Sequence, residues 1–249
     1  MIISGRRLIR FFTTIAVLGS CQSMPATAFN KPVLVELFTS EGCSSCPPAD
    51  KYLSRLRKTN SNIILIGEHV DYWNSLGWTD PFSSAQWTER QQKYCRKLGA
   101  NSCYTPQAVI NGQIECIASN QSALESAISS AANSLSVPIE LNVNEHGEKS
   151  LAISFKVGSS SRVKAVRLFL VEDGVSSNVG RGENGGRQLE HDGIVRAQTI
   201  VKDVKSGVAT SASLPIFTNG HPENFRVVAL LEDVKGPFGA AQQNLSSPH

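Results

Sequence analysis

The chain of 249 residues carries 24 basic and 21 acidic residues. Removing residues 1–28, which hold three arginines and no acidic residue, leaves 21 residues of each sign. A balanced surface gives no electrostatic reason to expect nucleic acid or an anionic membrane as a partner. About 220 remaining residues are enough for two domains that each bury a core.

Residues 1–28 have the pattern of an export signal. Three arginines come first, residues 8–18 are mostly apolar, and the small residues Ala26, Thr27 and Ala28 follow. This is the order of a signal peptide and its cleavage site. The apolar run is too short for a permanent membrane anchor. We therefore expect a periplasmic or secreted protein, in which disulfides persist.

The sequence before Cys21 supports an alternative. Residues 18–21, Leu-Gly-Ser-Cys, are similar to the site at which bacterial lipoproteins are acylated. In that case the protein is a lipoprotein anchored through Cys21, and only then is a membrane an expected partner.

Hydrophobic spacing and turn residues predict the elements of residues 29–135 in the order β-α-β-α-β-β-α. The strands are expected at 33–38 and 62–70 and in a hairpin at 107–116 around Asn111-Gly112, and the helices around Leu53, over 84–98, and from a capping box at Ser122 to Ala132.

The first strand runs directly into a Cys-x-x-Cys pair, Cys43 and Cys46. Two cysteines at this spacing across a helix start can close a small disulfide, and the positive end of the helix dipole favours a thiolate on the first. Cys43 is the expected nucleophile and Cys46 the resolving thiol. The following Pro47 and Pro48 are compatible with a first helical turn.

Two further segments are expected at the same sheet edge. A right-handed crossover makes the first two strands parallel, so both carboxyl ends meet there, where open α/β sheets bind ligands. His69–Trp73 follows the second strand, and Tyr104-Thr105-Pro106 precedes the hairpin.

This arrangement resembles the thioredoxin fold. The segments VELFTSEGCSSCPPAD, HVDYWNSLGWTDPF, YTPQAVING and RGENGGRQLEHDGIVR further resemble a secreted bacterial thioredoxin-like family of unknown function. The resemblance implies an α/β thioredoxin-like domain, a cis Pro106 that faces the two sulfurs, and thiol–disulfide exchange. It also implies that Glu36 relays a proton to the resolving cysteine; exposure of Glu36 at a strand edge is the alternative.

Other uses of the cysteine pair remain open. Zinc lacks a second ligand pair at the usual spacing. Copper(I) could be held by Cys43, Cys46 and His69, because two thiolates and an imidazole suit it; a histidine that braces the loop by hydrogen bonding is the alternative for His69. A non-catalytic module with a structural disulfide is the third interpretation. With redox exchange, no cofactor and no metal are expected.

The loop after the second strand is rich in aromatic residues. Tyr72, Trp73, Trp78 and Phe82 are predicted to form a lip beside Cys43 that grips a peptide; a cap on the core is the alternative. Thr105 is predicted to bind substrate together with the first three of these residues.

The other three mature cysteines are predicted to be structural. Cys95 with Cys103 would close the bend after the second helix and leave Cys116 free, whereas Cys103 with Cys116 is the other pairing.

Beyond residue 136, alternating runs without a helix pattern predict a small all-β, sandwich-like domain over 136–240, followed by a disordered tail, 241–249. The six expected strands are IELNVN, LAISFKV, VKAVRLFLVE, IVRAQTIVKDV, ATSASLP and FRVVALLE. The loop GRGENGGRQ is interpreted as a long β-turn, with docking of Arg181 or Arg187 at the sheet edge as the alternative.

Together these features predict an extracytoplasmic thiol–disulfide oxidoreductase. Its expected partners are protein disulfides and an upstream redox protein, and the direction of electron flow depends on reduction potentials that sequence does not encode.

Overall fold

The computed structural model describes residues 31–132, 134–147, 149–216, 221–233 and 235–245. The predicted signal peptide, 1–28, and the alternative anchor at Cys21 lie outside the described residues.

The three helices of the described ranges follow from local signals. They are α1 (Pro47–Thr59), α2 (Ala85–Leu98) and α3 (Gln121–Ala131). Ser84 caps α2 by accepting a hydrogen bond from the Gln86 amide, and Gly99 ends it in the left-handed conformation. The predicted start of α3 at Ser122 is wrong, because the Asn120 side chain caps the helix by accepting from the Ala123 amide.

The strands of the described ranges are β1 (Val33–Thr39), β2 (Ile63–His69), β3 (Gln107–Ile110), β4 (Ile114–Ile117), β5 (Ile139–His146), β6 (Ser150–Val157), β7 (Ala165–Glu172), β8 (Val175–Asn178), β9 (Gln188–His191), β10 (Ile194–Lys202), β11 (Ala209–Pro215), β12 (Phe225–Asp233) and β13 (Gly236–Asn244). The predicted order β-α-β-α-β-β-α of the first half is confirmed. All six runs predicted in the second half form strands, and β8, β9 and β13 are additional.

A mixed eight-stranded sheet connects the two halves of the chain. Its strand order is β13-β12-β7-β10-β2-β1-β3-β4. β1 and β2 are parallel as expected, and β10 joins the free edge of β2 where Ile194 pairs with Gly67. The all-β half thus extends the sheet of the first half, while the division into two domains at residue 135 stays a prediction.

The expected disordered tail is wrong for residues 241–244, which belong to β13. This strand pairs with β12 from Asp233 and Gly236 at the turn to Arg226 and Asn244 at the far end. Leu245 is buried behind it. Residues 246–249 lie outside the described residues. Alternation in GPFGAAQQN is weak because the four consecutive residues 237–240 are all buried, so the sequence pattern does not mark the strand.

Apolar residues pack on both faces of the sheet. One face of β1 and β2 meets α1 and α3, with Val35, Leu37, Leu53 and Leu65 buried between them. α2 covers the opposite face through Trp87. A three-stranded sheet of order β11-β6-β5 covers β7 and β12 around a separate cluster that includes β6. This arrangement leaves the carboxyl ends of β1 and β2 as the place where polar side chains collect.

None of the helices in the described ranges combines the length and apolar composition that crossing a membrane requires.

Candidate functional site at the carboxyl ends of β1 and β2

The first cysteine pair closes a disulfide at the start of α1. Cys43 and Cys46 are bonded, with their Cα atoms 5.4 Å apart. Cys46 is the N-cap residue of α1, and Pro47 and Pro48 occupy the first turn, where amide groups have no helical partner. Both cysteines have an exposed fraction of 0%. The pair therefore sits at the helix start that the sequence predicts, beneath other groups of the protein.

The second disulfide joins Cys95 to Cys103, which confirms the first of the two pairings considered. Cys116 is free and half-buried. Burial, followed by the nearby Glu115 carboxylate, raises the pKa of Cys116 to about 11. Cys116 is therefore a thiol at neutral pH and a poor nucleophile, as expected for a structural cysteine.

The aromatic loop links the cysteine segment to the turn before β3. The Thr105–Pro106 peptide bond is cis, as predicted. Trp73 Nε1 donates a hydrogen bond to Thr105 Oγ1 at 2.8 Å. A Cβ atom placed on Gly42 would lie 3.0 Å from Trp73 Cβ, so this tryptophan packs directly beside the residue that precedes Cys43. The three segments expected at one sheet edge do come together.

The other predicted aromatic residues lie around this contact. Tyr72 is 40% exposed, and its ring centroid is 6.5 Å from that of Trp73. Trp78 Nε1 donates to Glu41 Oε2 at 2.7 Å, and its ring packs against Gly180. Trp78 therefore connects the cysteine segment to the second half of the chain, and no local sequence pattern indicates this role.

His69 forms a buried ion pair with Asp80. Its Nδ1 atom lies 2.7 Å from Asp80 Oδ2, and both side chains are at most 1% exposed. Burial alone would lower the pKa of His69, but the charge and hydrogen bond of Asp80 outweigh it and raise the pKa. Burial alone would raise the pKa of Asp80, but the charge and hydrogen bond of His69 outweigh it and lower the pKa to about 2. Asp80 also accepts from the Glu41 amide at 2.8 Å, so this pair braces the loop.

Among the residues that the structure describes, no three His, Cys, Asp or Glu side chains are grouped so as to hold a metal ion. The combination of Cys43, Cys46 and His69 considered for copper(I) is thus not assembled as a cluster.

Asp50 is an acid near Cys46 that no local sequence pattern marks, and its side chain is 9% exposed. It follows Cys46 by one helical turn, and its amide donates to the Cys46 carbonyl at 3.1 Å. Its carboxylate accepts from Thr39 Oγ1 at 3.2 Å and lies 3.9 Å from His191 Nδ1. Burial raises the pKa of Asp50, although the two nearby histidines and Thr39 oppose it. Asp50 therefore holds a proton more readily than an ordinary aspartate.

The loop between β8 and β9 docks on the cysteine segment. Asn184 is fully buried, and its Nδ2 donates to the carbonyl oxygens of Glu41 at 2.8 Å and Cys43 at 3.0 Å. Glu183 accepts from the Ser44 amide at 3.0 Å. A part of the chain some 140 residues away thereby satisfies backbone groups around the first cysteine.

The residues that dock on the cysteine segment are Asn184 and Glu183, rather than Arg181 or Arg187. Arg187 acts indirectly, donating from Nη1 to Asn184 Oδ1 at 2.6 Å. The loop spans the turn between β8 and β9, as the β-turn interpretation requires, but it also contacts the segment around Cys43. The motif GENGG contained the relevant asparagine, and only tertiary packing reveals its partner.

Glu36 lies on the α2 face of the sheet, away from α1. It is fully buried, so exposure at a strand edge is wrong. Its carboxylate accepts from Arg90 Nε at 2.7 Å and from the Tyr94 hydroxyl at 2.5 Å. The neighbouring residues Val35 and Leu37 are the ones that pack towards α1. The structure does not bring Glu36 to Cys46.

Arg90 is the centre of a buried charge network. Besides Glu36, it contacts Glu68 Oε1 at 3.2 Å and pairs with Glu232 of β12. Burial raises the pKa of Glu68 well above its ordinary value, more than Arg90 lowers it. At Glu232 the attraction of Arg90 and Arg167 overcomes burial and lowers the pKa to about 2. Glu68 is thus the acid of this network that carries a proton most readily.

We expect Glu68→Gln to stabilise the protein relative to wild type as pH rises. The raised pKa of Glu68 means that the folded state holds a proton that the unfolded state releases above about pH 4.5, so wild type loses free energy of unfolding as pH increases towards the folded value. Glutamine does not titrate and avoids this loss. Urea denaturation from pH 4 to pH 9 measures the difference, with Glu140→Gln on the exposed surface as control. A gap that stays constant with pH would contradict the assignment.

The fold and site define a mixed α/β protein with a large sheet, three helices in its described part, and a disulfide at the first helix start. Residues 34–232 match the protein family described as "Protein of unknown function (DUF1223)". The chain belongs to this family. No curated protein matches the chain significantly.

Among solved structures, the chain is similar to a protein from Agrobacterium tumefaciens that was determined in a structural genomics programme. The two share 28% sequence identity with a TM-score of 0.65, and the match covers 87% of this chain and 97% of that one. A domain of the outer membrane lipoprotein Omp28 from Porphyromonas gingivalis matches 44% of this chain and 87% of its own, at 16% identity and a TM-score of 0.24. The structural similarity to this second protein is too weak to support an argument.

Proposed function

We propose that the protein is an extracytoplasmic thiol–disulfide oxidoreductase with a thioredoxin-like first half, acting on protein disulfides through Cys43 and Cys46. The observation that carries the proposal is the disulfide at the N-terminus of α1. A bridge between residues three apart closes a very short loop, for which the entropic stabilisation is smallest. Reactivity therefore explains this bridge better than stapling does, whereas Cys95–Cys103 suits a structural role.

Several further features support the thioredoxin-like assignment. The element order of the first half, the parallel β1 and β2, and a cis proline at position 106 all agree with the resemblance. Trp73 joins Thr105 to the segment around Gly42, which supports substrate contacts by this loop. The export-signal pattern and the two disulfides support a location outside the cytoplasm.

The proposed thiol–disulfide exchange proceeds in two steps. The Cys43 thiolate attacks one sulfur of a substrate disulfide, forming a mixed disulfide while the other substrate sulfur leaves and takes up a proton. Cys46 then loses its proton and attacks the Cys43 sulfur. This step closes the Cys43–Cys46 disulfide and releases the second substrate thiol, so two electrons pass to the substrate. The reverse sequence oxidises a substrate dithiol.

Asp50 is the group best placed to exchange the proton of Cys46. Helical side chains lean towards the N-terminus, so a residue one turn after Cys46 covers it. The raised pKa of Asp50, caused by burial, suits a group that must both accept and return a proton. Glu36, which the resemblance suggested for this role, is instead held by Arg90 on the other face of the sheet.

Access to the disulfide requires movement, because both cysteines have an exposed fraction of 0%. The loop between β8 and β9 is bonded to the segment around Cys43 through Asn184 and Glu183. We infer that this loop is released from the segment around Cys43 during the reaction cycle and thereby exposes the disulfide. The second half of the chain then controls which partners reach Cys43.

Insulin reduction tests the proposed function. Wild type should reduce insulin in the presence of dithiothreitol, and Cys43→Ser and Cys46→Ser should each abolish this activity because neither can close the disulfide. The matched control is the double variant Cys95→Ser and Cys103→Ser, which removes the other bridge and should keep most of the activity. Equal loss in the control, or no activity in wild type towards insulin or glutathione, would argue for a non-catalytic disulfide.

A further inference from the structure

A groove of about 630 Å³ runs beside the cysteine pair, between α1 and β9. It begins at Pro47, the residue after Cys46, and follows one face of the helix to Lys58. The opposite wall is the segment 187–191 of the second half. Its volume is in the range of ligand-binding clefts.

Basic side chains dominate the walls of this groove. Lys51, Arg55 and Lys58 occupy positions i, i+4 and i+7 of α1, so they lie on one face over roughly 10 Å of helix. Arg187 adds a fourth cation from the other wall, and Glu190 is the exposed acid opposite them.

Three of these four cations have no ion-pair partner among the described residues. Lys58 pairs with Asp192 at 2.6 Å. Lys51, Arg55 and Arg187 form no salt bridge in that part of the chain, although Arg187 donates a hydrogen bond to Asn184 Oδ1. The groove therefore offers positive charge that the protein itself leaves unneutralised.

His191 lines the inner wall of the groove between two carboxylates. Its side chain is 3% exposed, its Nε2 atom lies 3.5 Å from Glu41 Oε1, and its Nδ1 atom lies 3.9 Å from Asp50 Oδ2. Asp50, the acid on the helix wall, therefore faces His191, and the exposed cations of the groove are left to meet a ligand.

We propose that this groove binds an acidic, extended segment of the polypeptide whose disulfide reacts at Cys43. The inference rests on the proposed function and names the class of its substrate. Carboxylates of the segment pair with Lys51 and Arg55, which line the helix wall of the groove. Because the groove starts beside Cys46, it holds residues that flank the substrate cysteine, and its charge selects for Asp and Glu there.

A solvated helix face is the ordinary explanation of a basic stripe. Such a face needs no opposing wall, whereas this stripe faces the segment 187–191 across the groove, and that wall adds a further cation, Arg187. The stripe also lies on the face of α1 that leads away from the cysteines along the groove, rather than on an isolated part of the surface. These observations favour a binding site.

Binding of cysteine-free peptides to the oxidised protein tests the proposal without redox chemistry. Two labelled peptides of equal length, one rich in Glu and its isosteric counterpart rich in Gln, are compared by fluorescence anisotropy. The Glu peptide should bind about tenfold more tightly, and its affinity should fall with salt. Lys51→Glu combined with Arg55→Glu should remove the preference. Both side chains are exposed, so the fold should survive this change.

The matched control is Lys149→Glu combined with Lys205→Glu, which makes the same change of net charge at exposed turns of the second half. This control should keep the preference for the Glu peptide. Equal binding of the two peptides, or an unchanged preference in the groove variant, would overturn the proposal. So would tighter binding of a single-stranded oligonucleotide that the groove variant loses, or equal competition by inorganic phosphate. Insulin reduction, measured separately, reports on the proposed function whatever the peptides do.

Discussion

Replacing Cys46 with serine should leave the protein covalently attached to its substrates. Cys43 can still attack a partner disulfide, but the mixed disulfide has no neighbouring thiol to resolve it. Expression of Cys46→Ser in a bacterial periplasm should therefore accumulate high-mass adducts that dithiothreitol releases, whereas Cys43→Ser should accumulate none. Non-reducing electrophoresis and mass spectrometry measure both outcomes, and the released partners identify the substrates.

The remaining cysteines define the control for this experiment. Cys95, Cys103 and Cys116 could form adducts of their own, so the trap is repeated with all three changed to serine. The raised pKa of Cys116 predicts that it contributes little. Adducts that form equally in the Cys43→Ser protein would reverse the assignment of nucleophile and resolving thiol. Absence of adducts in both variants would favour the structural disulfide.

Local sequence patterns account for the elements but only for part of the site. The buried strands β1 and β2, the helix ends at Ser84 and Gly99, and the hairpin at Asn111-Gly112 are set by residues that are neighbours in sequence. The position of Cys43–Cys46 at a helix start follows from the same local information. This is why the convergence of three segments at one sheet edge could be predicted.

The partners of buried polar groups could not be predicted in this way. Glu36 is the one charged residue in the apolar run VLVELF, yet its partner Arg90 is 54 residues away and Glu232 completes the network from β12. His191 and Asn184 reach the cysteine segment from about 140 residues away. No periodicity records such pairings, because they depend on how β10 adds to the edge of β2.

The shared sheet explains why the second half can contact the cysteine segment. β10 pairs with β2 at Ile194, only three residues after His191. This pairing places β9 and the preceding loop beside α1. The loop is bonded to the cysteine segment through the side chains of Asn184 and Glu183, so replacing one of these side chains should weaken its docking.

Asn184→Ala should therefore speed the reduction of Cys43–Cys46 by dithiothreitol roughly tenfold to a hundredfold. The substitution removes two hydrogen bonds to the carbonyls of Glu41 and Cys43, each worth about 0.5–1.5 kcal/mol, so the loop leaves the disulfide more often. Timed alkylation followed by mass spectrometry measures the rate. Asn142→Ala, on the exposed side of β5, is the matched control and should leave the rate unchanged.

The second disulfide provides an internal reference in the same molecule. If Asn184→Ala acts by local opening, reduction of Cys95–Cys103 keeps its wild-type rate while that of Cys43–Cys46 increases. Equal acceleration of both bridges would instead indicate global destabilisation, since unfolding exposes all cysteines together. An unchanged rate at Cys43–Cys46 would show that groups other than the docked loop, such as the Trp73 side chain against Gly42, limit access to the sulfurs.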